Sequence, residues 1–169
     1  NKSIVSSISQ AGANAVGISG KDGNLISAKR ISILDKDSDS NVEKAVDLGF
    51  VGEPENINVK ILNGLIAQNM IPVIAPVGIG KNGESYNINA DTAAGAVASA
   101  MKATRMIMLT DVAGVLDQNG KLIPELTISE AQELIKNEIV VGGMIPKIKT
   151  CIDAVLGGAE ASVIMDGRM

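Results

Sequence analysis

Short apolar runs alternate along this chain with segments of helical periodicity. Ile4, Val5, Ile8 and Ala11 share one helical face and predict a helix over 2–11, stopped by Gly12. Ala15–Ile18 reads as a short buried strand, Ser19–Gly23 as a turn, and Leu25–Leu34 as a second strand. Val46–Val51 predicts a third strand, with Gly52-Glu53-Pro54-Glu55 as the turn after it. Val59, Ile61, Leu62, Leu65 and Ile66 make an amphipathic helix within 57–69. Ile71–Val77 is almost continuously apolar, the pattern of a strand covered on both faces, with Pro72 and Pro76 at its ends. Asn82-Gly83 predicts a hairpin with a type I′ turn. The Ala-rich segment Thr92–Ala103 predicts a helix in which Gly95 is the one poor helix former.

Met106–Thr110 is a further buried strand that runs into the turn Asp111–Asp117, bent at Gly114. Thr127 and Glu130 have the spacing of a capping box, which opens a helix ending at Lys136. A last helix has Pro146 in its first turn and an apolar face at Ile145, Ile148, Ile152, Val155 and Leu156, and it ends at Gly157-Gly158. Ala161–Met165 is the final strand. Strands alternating with helices imply an α/β protein with a mainly parallel sheet.

Composition narrows the chemistry. The 169 residues are 46% hydrophobic and 20% charged, as in an ordinary soluble domain. No apolar run is long enough for a membrane span, and no signal-peptide pattern opens the chain, so an intracellular, cytoplasmic protein is the expectation. The start at Asn1 rather than Met suggests a processed or incomplete piece. A net charge of −4 without a basic block argues against nucleic acid as a partner. Phe50 and Tyr86 are the only aromatics, which leaves no stacking platform for single strands. With no histidine, a Ser-His-Asp triad and the usual zinc sites are unavailable. Cys151 is the single cysteine and forms no internal disulfide. The acidic loop Asp35–Asn41 lacks the glycine and terminal glutamate of an EF-hand. Gly78, Gly80 and Gly83 match G-x-G-x-x-G, but no helix is expected to follow, so a dinucleotide fingerprint is rejected. There is no P-loop.

Two stretches attract attention on chemical grounds. Asn87, Asn89 and Asp91 occupy alternate positions ahead of a helix, so on an extended backbone two amides and a carboxylate face one space beside unpaired helix-start N–H groups. Simple capping by Asn89 or Asp91 is the competing explanation. Lys147 stands in the first turn of the helix after Gly142-Gly143, where a cation opposes the helix dipole. It is either an ordinary surface lysine or part of a phosphate site formed with the helix start. The turn Asp111–Asp117 lies at the carboxyl end of a strand, where parallel sheets bind ligands.

Four stretches together resemble acetylglutamate kinase, of the amino acid kinase superfamily: Asp47–Pro54, Asn87–Asp91, Leu109–Asp117 and Gly142–Lys147. They occur in the family's order and spacing, and the resemblance covers essentially the whole chain. It implies an open, mainly parallel sheet sandwiched by helices, here incomplete. Residues 1–102 would form part of the acetylglutamate-binding and dimerisation lobe, and 103–169 the ATP-binding lobe. It also implies ATP-dependent phosphorylation of the side-chain carboxylate of N-acetyl-L-glutamate, the second step of arginine biosynthesis, by a homodimer or larger homo-oligomer.

By the same resemblance Asn87 binds acetylglutamate with Asn89 beside it, Asp91 organises the catalytic lysines, and Lys147 stabilises the transferring phosphoryl group. Asp111, Val112, Ala113, Gly114, Val115 and Leu116, with Ile139, Val140, Val141, Gly143 and Met144, line the nucleotide pocket. Mg²⁺ rides on the ATP phosphates, with no protein-held metal. The chain departs from the family in three ways: its N-terminal part and last strand are absent, and Glu138 stands where many members have glycine. The stretch is therefore expected to be inactive alone. The competing interpretations are a related kinase acting on aspartate, UMP or an aminoadipate-type acceptor, and a non-catalytic regulatory module.

Overall fold

In a computed structural model, residues 1–36 and 43–168 are described, with side chains described outside 32–47. The acidic loop Asp35–Asn41 thus lies largely outside the described residues. The chain forms two compact units, Asn1–Ala93 and Ala94–Met169.

The first unit starts with α1 (Lys2–Gln10) and β1 (Ala15–Ser19), and continues through β2 (Ile26–Lys36), β3 (Glu43–Ile57), α2 (Val59–Ala67), β4 (Ile71–Ala75), β5 (Val77–Ile79) and β6 (Ser85–Ile88). Strand β1 pairs in parallel with β4, from Ala15↔Ile71 to Ser19↔Ala75. The other four strands close on one another in the order β2-β3-β6-β5. Leu25, Ile26, Ala28, Tyr86 and Ile88 are buried in this unit, as is Leu62 of α2.

Two turn expectations fail here, and the run Ile71–Val77 is not one strand but is parted at Pro76 into β4 and β5. Gly52–Glu55 is not a turn: β3 runs on through it to Ile57, pairing Lys29↔Glu53 and Ala28↔Pro54. The register shifts between Ser27 and Ala28 and again between Arg30 and Ser32, and such irregularities tolerate a proline that cannot donate to the ladder. A cross-strand ion pair, Lys29 Nζ to Glu53 at 2.9 Å, adds to the pairing. The β5–β6 hairpin does form, but its turn is not type I′. Gly83 N–H donates to the Gly80 carbonyl, Gly83 has φ +88°, and Asn82 is not left-handed. This is a type I turn followed by a left-handed glycine, the three-residue alternative. The Asn82 side chain and backbone N–H both donate to Glu84, which favours that arrangement.

The second unit contains most of α3 (Ala90–Ala100), then β7 (Met106–Thr110), α4 (Ile128–Lys136), α5 (Met144–Leu156) and β8 (Ser162–Asp166). Strands β7 and β8 are parallel and in register from Met106↔Ser162 to Thr110↔Asp166. Met106 and Met108 bury one face of β7 against Ala98, Ala154 and Ala159. A second cluster joins Val115, Ala131, Val140, Ile148 and Ile152. Gly95 is explained by packing: a Cβ there would lie 2.6 Å from Thr150 Cγ2, so only glycine lets α3 and α5 approach this closely. The α/β class and the parallel pairs follow the sequence expectation.

Every α-helix among the described residues ends the same way. A left-handed residue follows the helix, and paired N–H bonds run back to its last carbonyls. The residues in that position are Gly12, Asn69, Lys102, Glu138 and Gly158. For α4, Glu138 N–H donates to the Ile135 carbonyl and Ile139 N–H to that of Leu134. Glu138 has φ +54°, which accounts for glycine as the residue expected there.

Candidate active site

Strand β6 buries Tyr86 and Ile88 and exposes Asn87, so the alternation expected from sequence is present as far as Asn89. There the backbone turns helical, one residue before Ala90, and Asp91 lies in the first turn of α3 rather than on the strand row. Asn89 caps the helix: its Oδ1 accepts from Thr92 N–H at 3.1 Å, and its carbonyl accepts from Ala93 N–H. Its side-chain amide N–H₂ points away from that cap bond and is the part of Asn89 that a ligand can use. Asp91, half-buried, occupies the end of α3 whose dipole favours a carboxylate. Asn87, Asn89 and Asp91 thus follow one another at a strand-to-helix junction in the first unit.

The other predicted residues lie in the second unit. Thr110 closes β7, and its hydroxyl accepts from Val112 N–H and donates to the Val112 carbonyl, which bends the chain sharply. Gly114 then has φ +144°, and a Cβ on it would meet Leu122 Cδ1 at 2.9 Å and the Ile164 carbonyl at 3.2 Å. Only glycine fits this bend. Beyond it, Ile123 N–H donates to the Val115 carbonyl, Leu116 bridges to Leu122, and the Asp117 carboxylate accepts from Asn119 and Lys121 N–H.

The segment 139–144 comes beside this turn through a shared core. Val115 and Val140 are both buried in the cluster that also holds Met144 and Ile148. Those two valines therefore face the core, and their side chains are withheld from a ligand. Asp111, Val112, Ala113, Leu116, Val141 and Gly143 are exposed; Ile139 and Met144 are half-buried. Exposed apolar side chains at Val112, Leu116 and Val141 offer surfaces that a flat ring can pack against.

Lys147, half-buried, is the fourth residue of α5, whose N-cap is Gly143 and whose first turn carries no acidic side chain. A lysine beside a helix start is an arrangement that can receive an anion. Among the described residues, no three His, Cys, Asp or Glu side chains converge as a metal cluster.

Sequence reasoning passed over Asp166 and Arg168. The Arg168 guanidinium holds the Asp166 carboxylate through Nε and Nη2 at 2.9 and 2.8 Å, and Nη2 also donates to the Asp111 carbonyl at 2.5 Å. This pairing keeps the Asp166 carboxyl below its usual range and raises Arg168. An Asp-Gly-Arg ending on the strand parallel to the one that runs into Asp111 was the available signal.

The amino acid kinase family model matches residues 1–166. The chain belongs to the amino acid kinase family. Similar curated members of this family are acetylglutamate kinases. Those from Gluconobacter oxydans and Rhodospirillum centenum are 58% and 56% identical over all 169 residues, and that from Gluconacetobacter diazotrophicus is 59% identical over the same length. The chain covers 57%, 55% and 54% of these three proteins, about half the length of each. Among solved structures, smu.665 from Streptococcus mutans superimposes with a TM-score of 0.81 at 32% identity, over 98% of this chain and 62% of that one. Giardia lamblia carbamate kinase, at 17% identity and a TM-score of 0.62, shares the fold. No helix among the described residues is long and apolar enough to cross a membrane.

Proposed function

We propose that this amino acid kinase chain carries part of the machinery that phosphorylates the side-chain carboxylate of N-acetyl-L-glutamate with ATP, giving N-acetyl-L-glutamyl 5-phosphate and ADP. The observation that carries this reading is the 56–59% identity to three acetylglutamate kinases along the entire chain. Because the chain spans about half of those relatives, turnover is assigned to the whole enzyme, and the 169-residue chain alone is proposed to be inactive.

The acceptor is already a carboxylate, so no general base is required and the missing histidine is no obstacle. Transfer depends on aligning the acceptor with the γ-phosphorus and neutralising developing charge. In this reading the Asn87 amide binds acetylglutamate and the free amide N–H₂ of Asn89 supports it. Lys147 and the α5 N–H groups face the equatorial phosphoryl oxygens. Asp91 organises the catalytic lysines. The turn 111–116 and the segment 139–144 hold the nucleotide, with Val112, Leu116 and Val141 against the base. Mg²⁺ bound through the ATP phosphates would supply charge neutralisation during the transfer. A homodimer formed through the first unit, in the cytoplasm, completes the proposal.

The test is an acceptor screen on the full-length enzyme with hydroxylamine trapping of the acyl phosphate. ATP-dependent hydroxamate with N-acetyl-L-glutamate is expected. Turnover with aspartate, UMP or an aminoadipate-type acceptor in its place overturns the substrate assignment.

A further inference from the structure

We propose that Arg168 is a positioning residue that clamps the first peptide of the nucleotide turn to the end of β8. The inference rests on the nucleotide reading of the Asp111–Leu116 turn given above, and it goes further by assigning the element that sets where the turn begins.

The geometry starts from register. β7 and β8 run parallel and end together at Thr110↔Asp166, and Gly167 N–H extends the ladder by donating to the Thr110 carbonyl at 2.9 Å. Past this point the two strands part, and among the described residues no ladder pair includes Asp111. Arg168 spans the gap. Its own N–H donates to Asp166 Oδ1 at 2.9 Å, and its guanidinium grips both oxygens of the same carboxylate. With that fork fixed, the second N–H of Nη2 reaches the Asp111 carbonyl. The carboxylate is the anchor, since the Asp166 side chain is only 14% exposed whereas that of Arg168 is 69% exposed. The Asp111 carboxylate adds a favourable through-space charge to the guanidinium.

A pair this open to solvent does little for global stability. What it does is geometric. A planar fork can satisfy a carboxylate bidentately and still present a donor at a fixed angle to a third group; a lysine ammonium cannot. On the other side, Thr110 Oγ1 fixes Val112. The peptide that leads into the nucleotide turn is thus held from both strands, and the guanidinium itself touches no reacting atom in this scheme.

The test uses the full-length enzyme carrying this sequence as wild type, Arg168→Lys and Arg168→Ala, with two readouts. The first is amide hydrogen exchange at Val112–Leu116, using Met106–Leu109 as an internal reference. The second is MgADP affinity by calorimetry, with millimolar methylguanidinium added to the alanine variant. Both variants are expected to exchange faster at Val112–Leu116 with unchanged protection in β7. Both are expected to bind MgADP roughly tenfold more weakly, as loss of a charge-assisted hydrogen bond allows, and methylguanidinium should restore much of the affinity to the alanine variant. Equal exchange at the turn in all three proteins overturns the clamp, as does full affinity in the lysine variant. If the wild type binds no MgADP, the nucleotide reading fails for this chain. The exchange data then still decide the clamp, because they need no nucleotide.

Discussion

Replacing Glu138 by glycine should stabilise this protein. Glu138 sits just past the end of α4 with φ +54°, and its N–H and that of Ile139 complete the bonds that close the helix. Holding an L-residue in this left-handed region costs about 1–2 kcal/mol relative to glycine. Glycine returns part of that, about 0.5–1 kcal/mol, through the greater freedom of its unfolded chain. The net expectation is a gain of roughly 0.5–1 kcal/mol, or a rise in Tm of about 1–4 °C for a chain of this size. Removing a carboxylate from the negative end of the α4 dipole acts in the same direction. Urea titration followed by far-UV circular dichroism measures the change, with Glu138→Asn and Glu138→Ala as controls. Asparagine tolerates the left-handed region and should fall between glycine and glutamate, whereas alanine should gain nothing beyond its lost charge. Equal stability for the alanine and glycine variants would show that the backbone conformation is not what limits stability here. The position also leads directly into Ile139–Val141, so a firmer helix end should leave nucleotide affinity equal or tighter.

Three further outcomes follow from the site and its supports. Asn89→Ala should cost about 1 kcal/mol through loss of the α3 cap, while Asn89→Asp should keep the stability and lose acetylglutamate affinity, because a carboxylate repels the acceptor; urea titration and substrate binding separate the two. Lys147→Ala in the full-length enzyme should lower kcat by about 10²–10³, as loss of one preorganised donor does, and steady-state kinetics within a few-fold of wild type would remove its assigned role. The Glu130 carboxyl is held below its usual range by the Thr127 backbone N–H first and its hydroxyl second. A lowered folded-state pKa gives stability that is full above the unfolded value, near pH 4.3, and lost as pH falls further through the folded value. Glu130→Gln should therefore flatten the acid limb of a stability–pH curve and leave its upper part unchanged in slope.

Much of this architecture is legible in the sequence because it rests on local rules. The Thr127–Glu130 capping box formed as its spacing predicts, and the Met106–Thr110 strand buries alternate methionines. The residues that misled did so for tertiary reasons. Gly52 and Pro54 carry turn chemistry, yet pairing with Lys29 and Ala28 across irregular register keeps them in β3. Asn82-Gly83 has the strongest hairpin dipeptide, but bonds from Asn82 to Glu84 hold a different turn. In the candidate site, the row at Asn87 and Asn89 was readable from alternation, whereas the helical placement of Asp91 depended on where capping wins over extension. Burial of Val115 and Val140 needed the packed cluster to be seen, because each sits in a short apolar run whose other side chains, such as Leu116 and Val141, are exposed. The Arg168 contact joins residues 57 positions apart and has no local signature.

Phosphoryl transfer from ATP radiolabelled at the γ-position by the full-length enzyme carrying this sequence tests the central claim most directly. The account predicts label in a hydroxylamine-sensitive acyl phosphate that appears only when N-acetyl-L-glutamate is present. Label delivered to another acceptor, or none delivered by a folded enzyme that binds MgATP, would contradict it.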